Sequence, residues 1–122
     1  MLPNDWLISR PGVDNWMMCT PDGLSLDHRL IGEYKTSGKP LDKIPARYMR
    51  QIMWQLWVTG ADACVFAWEL REPCGDWFAP GFDVHTQIVE RDEDLIGQLV
   101  EVAQRVQMVA VYESQMEGNE YE

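Results

Sequence analysis

The chain has 122 residues, 46% of them hydrophobic and 25% charged, with a formal net charge of −10. That length suits one domain around one core, no apolar run is long enough to cross a membrane as a helix, and the overall acidity excludes a protein that simply coats nucleic acid. The charge is unevenly placed: six of the ten basic residues (Arg29, Lys35, Lys39, Lys43, Arg47 and Arg50) stand close together with only Glu33 and Asp42 among them, while the tail from Glu113 onward holds four glutamates and no base.

The opening "MLPNDWLISR" has neither the basic start nor the apolar block of a signal peptide, so the expected compartment is the cytoplasm. Residues 1–15 read as a loop with one short strand at positions 6–8. "WMMCT" (16–20) reads as a short buried strand that ends at Pro21. "PDG" reads as a turn, because proline presets φ, aspartate accepts local backbone bonds and glycine tolerates positive φ. "LIGEYKT" (30–36) is the next predicted strand, and "SGKPLD" (37–42) a loop.

A helix is expected from Pro45, at its first position, through "ARYMRQIMWQLWVT" to a terminating Gly60. Tyr48, Ile52 and Leu56 form one apolar row on it, and Met49, Met53 and Trp57 the next; Arg47, Gln51 and Gln55 form a polar row. "ACVFAWEL" (63–70) is a strongly apolar, central strand, residues 71–81 a turn region, and "FDVHTQIVE" (82–90) a half-buried strand with Phe82, Val84, Thr86 and Ile88 on one face. Residues 91–115 form a second helix, with Asp92, Glu93 and Asp94 at its N-terminal dipole and Leu95, Leu99, Val102 and Val106 as its apolar stripe. Strands mixed with helices at this spacing predict an α/β fold, a mixed β-sheet flanked by helices. The organisation is a loop (1–15), a core (16–115) and an acidic tail (116–122).

Cys19, Cys64 and Cys74 fit no zinc spacing and read as buried or incidental thiols. His28 and His85 are isolated and read as surface or strand histidines.

Residues two apart on a strand point the same way, so Glu33 and Lys35 share a face. If "WMMCT" and "LIGEYKT" pair as a hairpin, Asp22 approaches Glu33. Two converging carboxylates repel unless a cation or a proton lies between them. A hard divalent ion with oxygen ligands is one solution, and Mg²⁺ retains waters for chemistry, with Mn²⁺ as its substitute. The Tyr34 carbonyl is a further oxygen ligand, and the Lys35 ammonium an orienting or charge-stabilising group. On the residues alone this reading stands beside a plainer one, in which the charges are solvated groups on a surface hairpin.

"MMCTPDGL", "LIGEYKT" and "ARYMRQIMWQLWVTGADACVFAWEL", in that order, resemble the lambda-exonuclease and YqaJ-like phage recombinase nucleases of the PD-(D/E)xK superfamily, over about residues 16–95. The resemblance implies a restriction-endonuclease-like fold and Mg²⁺-dependent hydrolysis of DNA phosphodiesters, with a phage-type 5′→3′ exonuclease used in recombination as the expected activity, in the host cytoplasm if phage-encoded. It makes Asp22 the metal-binding aspartate, Glu33 the acid of the Glu-x-Lys strand, Tyr34 a carbonyl ligand, Lys35 the catalytic lysine and Gln51 the helix glutamine beside the site. DNA, a homo-oligomer and a single-strand annealing protein are the implied partners. Such nucleases carry a helical segment ahead of the first catalytic strand. The chain therefore reads as a C-terminal catalytic portion lacking that segment. The alternative expectation is a non-catalytic or split subunit that needs a partner chain carrying the N-terminal half.

Overall fold

The computed structural model of the protein describes residues 1–12, 16–74 and 77–120, the side chains of residues 72–82 and 118–120 excepted. Among the described residues seven strands and two helices follow in chain order: β1 (Leu2–Pro3), β2 (Ile8–Ser9), β3 (Met18–Cys19), β4 (Gly23–Leu24), β5 (Leu30–Ser37), α1 (Ala46–Thr59), β6 (Ala63–Cys74), β7 (Trp77–Glu90) and α2 (Glu93–Glu120). One sheet has the order β1-β4-β5-β6-β7; β2 and β3 form a separate pair. Only β5 and β6 are parallel, with α1 as the crossover between them. No described helix is long and apolar enough to cross a membrane.

The mixed α/β fold is the expected one, but the pairing at its front differs. "WMMCT" contributes β3, which pairs with β2 (Ile8↔Cys19, Ser9↔Met18) rather than with β5. The hairpin partner of β5 is β4, in the register Gly23↔Gly32 and Leu24↔Ile31. So "PDG" is not the turn of that hairpin. Pro21 is buried and separates β3 from β4, whose backbone is extended. The reversal falls at residues 25–29. There the Ser25 N–H donates to the Leu30 carbonyl, and the Asp27 carboxylate accepts from the Ser25 hydroxyl and the Arg29 N–H. Those bonds hold the Asp27 carboxyl below its ordinary pKa, the serine bond contributing most. His28, at φ 61°, supplies the left-handed residue of this turn.

The expected turn at residues 71–81 is instead the far end of a long hairpin, in which Arg71↔Pro80 through Cys74↔Trp77 are paired after a register irregularity between Glu69 and Arg71. Antiparallel pairing forms there despite the two prolines, Pro73 and Pro80, which locally read as breakers. Cys74 and Phe82 have side chains outside the described set.

α1 begins at Ala46, one residue later than expected, with Pro45 extended at ψ 146°. The Pro45 carbonyl accepts the N–H groups of Tyr48 and Met49. At the other end Gly60 is left-handed (φ 72°) and its N–H closes on the Leu56 carbonyl. The last turn of α1 has no base of its own. Two arginines from elsewhere serve it: Arg91 Nη1 donates to the carbonyls of Leu56 (2.8 Å) and Ala61 (2.9 Å), and Arg10 Nη1 donates to the Trp57 carbonyl while its guanidinium lies 4.5 Å from the Trp57 ring centroid. An Arg91→Met variant is expected to lose about 1–3 kcal/mol, because two carbonyls lose a charged donor at the negative end of a helix dipole; the midpoint of urea unfolding checks this.

The core lies on one face of the sheet. Ile31, Cys64, Phe66 and Val89 point toward Ile52, Met53 and Leu56 of α1 and Ile96 of α2. On β7 the inward residue is Val89, and Val84 and Ile88 are exposed, so the expected apolar face of that strand is the open one. On α2, Leu95, Ile96, Leu99 and Val100 pack, whereas Val102 and Val106 of the expected stripe are exposed. The helix continues to Glu120, beyond the predicted end at 115.

Candidate functional site

β5 is the element that organises the charged residues. The register Gly23↔Gly32, continued by one residue, sets Asp22 opposite Glu33 on the face that α1 covers. Asp22 accepts the Tyr34 N–H on Oδ2 at 2.9 Å. In a strand the N–H and C=O of one residue point to the same edge. The Tyr34 carbonyl therefore faces the Asp22 side, where β4 has ended, and not the ladder with β6. Two carboxylates and one backbone carbonyl thus converge at the mouth of the β4–β5 hairpin. A recess of about 280 Å³ that reaches Asp22 and Tyr34 is lined also by Met1, Leu2, Val65 and Ala67 and lies on the other face of the sheet, away from α1.

Glu33 is the unusual member. Its side chain is only 4% exposed, yet three polar groups bond to it. Oε1 accepts from Lys35 Nζ at 3.0 Å and from Gln51 Nε2 at 3.2 Å, and Oε2 accepts from Gln55 Nε2 at 3.1 Å. Burial raises the pKa of Glu33 above its ordinary value; hydrogen bonds from Lys35 and Gln55 oppose that rise, and the charge of Asp22 adds to it. The sensitivity of Glu33 to Asp22 is the electrostatic mark of two acids sharing one space. Lys35 is held from the other side by the Tyr48 ring, 5.0 Å from Nζ, and Arg47 lies 4.6 Å from the same ring.

Of the five expected site residues, Glu33, Tyr34 and Lys35 lie on β5, Gln51 on α1, and Asp22 immediately before β4. Gln55, expected on the polar row of α1, is buried against Glu33. The signal that finds it is its position four residues from Gln51, which puts both amides over one stretch of sheet. Cys19 and Cys64 lie near enough to feel the Glu33 charge. Burial first and Glu33 second push their thiols up to about 11 and about 12, which disfavours the thiolate form of both. His85 stacks on Trp68 at 4.4 Å, and the register sets Lys35, Trp68 and His85 in one row across β5, β6 and β7.

As a donor set the site fits a hard divalent ion better than zinc. Among the described residues there is no cluster of three or more His, Cys, Asp or Glu side chains. Mg²⁺ needs only one or two carboxylates and completes an octahedron with carbonyl oxygen and water.

Residues 7–62 match the family model of the YqaJ-like viral recombinase domain. In fold the chain is similar to an alkaline exonuclease, LHK-Exo, from Laribacter hongkongensis, with a TM-score of 0.59 and 18% identity over 95% of this chain and 64% of that one. The structure of LHK-Exo in complex with dAMP gives the same values. A second similar structure, SSO0001, has a TM-score of 0.52 and 17% identity over 87% of this chain and 50% of that one. At these identities the likeness is one of fold, and the chain spans under two thirds of either protein. No curated protein matches the chain in sequence. In sequence over residues 7–62, and in fold over 95% of its length, the chain is similar to YqaJ-like recombinase and alkaline exonuclease proteins.

Proposed function

We propose that the chain is the core of a Mg²⁺-dependent deoxyribonuclease, a 5′→3′ exonuclease of the phage recombination type. The observation that supports this most is the buried Glu33 carboxylate, opposite Asp22 and hydrogen-bonded by Lys35 and Gln51. A surface hairpin with ordinary solvated charges has no reason to bury an acid at 4% exposure under two amides and an ammonium. Asp22, Glu33 and the Tyr34 carbonyl would hold the ion, which when bound polarises the phosphate and lowers the pKa of water.

The chain's own residues supply the rest. Lys35 lies on the same face as Glu33 and stabilises negative charge on the phosphate or orients the attacking water. Gln51 braces Glu33 from the exposed side of α1. The Tyr34 N–H fixes the Asp22 carboxylate, so one of the two acids is pre-oriented by backbone and the other by side chains. The test is degradation of linear duplex DNA carrying a label at one 5′ end, with Mg²⁺ and with EDTA. Early release of the 5′ label supports the reading. Equal activity of wild type and Asp22→Ala sinks it.

The raised pKa of Glu33 has a sign that can be checked. A proton binds Glu33 more tightly in the folded than in the unfolded chain. This group's contribution to stability is therefore greatest at low pH and falls as pH rises from the unfolded pKa through the folded one. Metal binding runs the opposite way, because it needs the anion. Mn²⁺ titrations at stepped pH are expected to show affinity lost on acidification at a higher pH than an ordinary glutamate gives.

A second reading is a subunit that works only with a partner chain carrying further helices. It is favoured by the open face of the sheet, where Tyr34, Val84 and Ile88 are 42%, 55% and 59% exposed. Cleavage that appears only on mixing with a co-purified partner distinguishes this reading from the first.

A further inference from the structure

We infer that Gln55 is a positioning residue: it holds Glu33 from the buried side, and through Glu33 it sets the affinity of the site for a divalent cation. The inference rests on the cation-binding reading above and assigns a role in it to a residue of the core.

Gln55 is 2% exposed and stands among Ile52, Met53, Leu56 and Val58, the buried residues of α1. Its Nε2 donates to Glu33 Oε2 at 3.1 Å. Its Oε1 is fully buried and has no hydrogen-bond partner among the described residues. An amide carbonyl stripped of water with nothing in exchange opposes folding. Rotating the amide does not help, since it would aim the oxygen at a carboxylate oxygen and strand the NH₂ group instead. An apolar side chain of the same length would fill this position without an orphaned atom. As far as the core is concerned, then, glutamine is an unfavourable residue here, and its one compensating contact is with Glu33.

That contact falls on the atom that matters. An ionised carboxylate offers about four lone-pair positions. Lys35 and Gln51 occupy two on Oε1 and Gln55 occupies one on Oε2, which leaves the second position of Oε2 open to a cation. Gln55 therefore grips the very oxygen that retains capacity, from a side no solvent reaches. Neither Lys35 nor Gln51 can replace it, because both are committed to Oε1. Partners that orient a metal ligand in this way typically change metal affinity by about 10- to 100-fold when removed.

The test uses Gln55→Met, which keeps length and volume, in the protein without DNA. Free Mn²⁺ is followed by electron paramagnetic resonance, and stability by urea unfolding. The expected result is a Kd for Mn²⁺ raised about tenfold or more, with the unfolding midpoint unchanged or higher. A merely structural glutamine predicts the reverse, a lower midpoint and an unchanged Kd, and that outcome overturns the inference. Asp22→Ala separates the two levels of argument. If wild type shows no Asp22-dependent Mn²⁺ binding, the cation site itself falls and this inference with it. If wild type binds and Gln55→Met binds within twofold of it, only the role of Gln55 falls. Should Gln55→Met not fold, the wild-type side-chain amide decides: its NMR resonances should move during a Mg²⁺ titration in step with binding, and stationary resonances refute the role.

Discussion

Lys35→Met is expected to slow DNA hydrolysis by about 10²- to 10³-fold, the usual loss when one preorganised charge-stabilising donor is removed, while binding of Mn²⁺ becomes tighter rather than weaker. The two effects separate because Lys35 has two relationships. Toward substrate it is the nearest cation to the acids. Toward Glu33 it is an ion-pair partner at 3.0 Å, occupying an oxygen that a metal would also seek. Removing the ammonium leaves a buried carboxylate with two amide donors but no counter-charge, which costs stability without metal and raises the gain from binding one. Metal titration, a thermal melt with and without Mn²⁺, and single-turnover cleavage together read this pattern. Weaker metal binding in Lys35→Met would mean that the lysine supports the site only as part of the fold.

Phe66→Ala is the expected extreme for stability, a loss of about 3–5 kcal/mol. Phe66 is 1% exposed, at the centre of the single core, with the Tyr48 ring 6.2 Å away. It also lies opposite Glu33 in the parallel register of β5 and β6. The cavity left by alanine opens beneath the same strand that carries the site. Since a domain of this size has a total stability of about 5–15 kcal/mol, this variant should unfold substantially at modest urea, and metal affinity should fall with it. A loss under 1 kcal/mol in urea melts would show that the core collapses around the gap.

Much of the candidate site is legible from local rules. A period of two puts Glu33 and Lys35 on one face, and a period near 3.6 puts Gln51 over that face once α1 follows β5. The helix boundaries near Pro45 and Gly60 follow from proline and glycine chemistry, and both sit within a residue of expectation. The misreadings share a different cause. "PDG" and the stretch 71–81 look like turns because proline and glycine disfavour regular structure locally, yet both contribute extended backbone once a neighbouring strand completes the hydrogen bonds. On β7, alternation is visible but does not say which of the two faces meets the helices.

What the sequence by itself determined, then, is the order of the longer strands and the two helices, the residues that can share a face and the acids able to meet. Those properties depend on backbone geometry and on neighbours within a few positions. Only the tertiary structure decided that Asp22 reaches Glu33 through β4 rather than β3, that Arg10 and Arg91 close the end of α1, and that Gln55 turns inward on Glu33. Each depends on which surface is removed from water when distant segments pack. A glutamine reads as a solvent residue until a buried carboxylate beside it makes its N–H the best available partner.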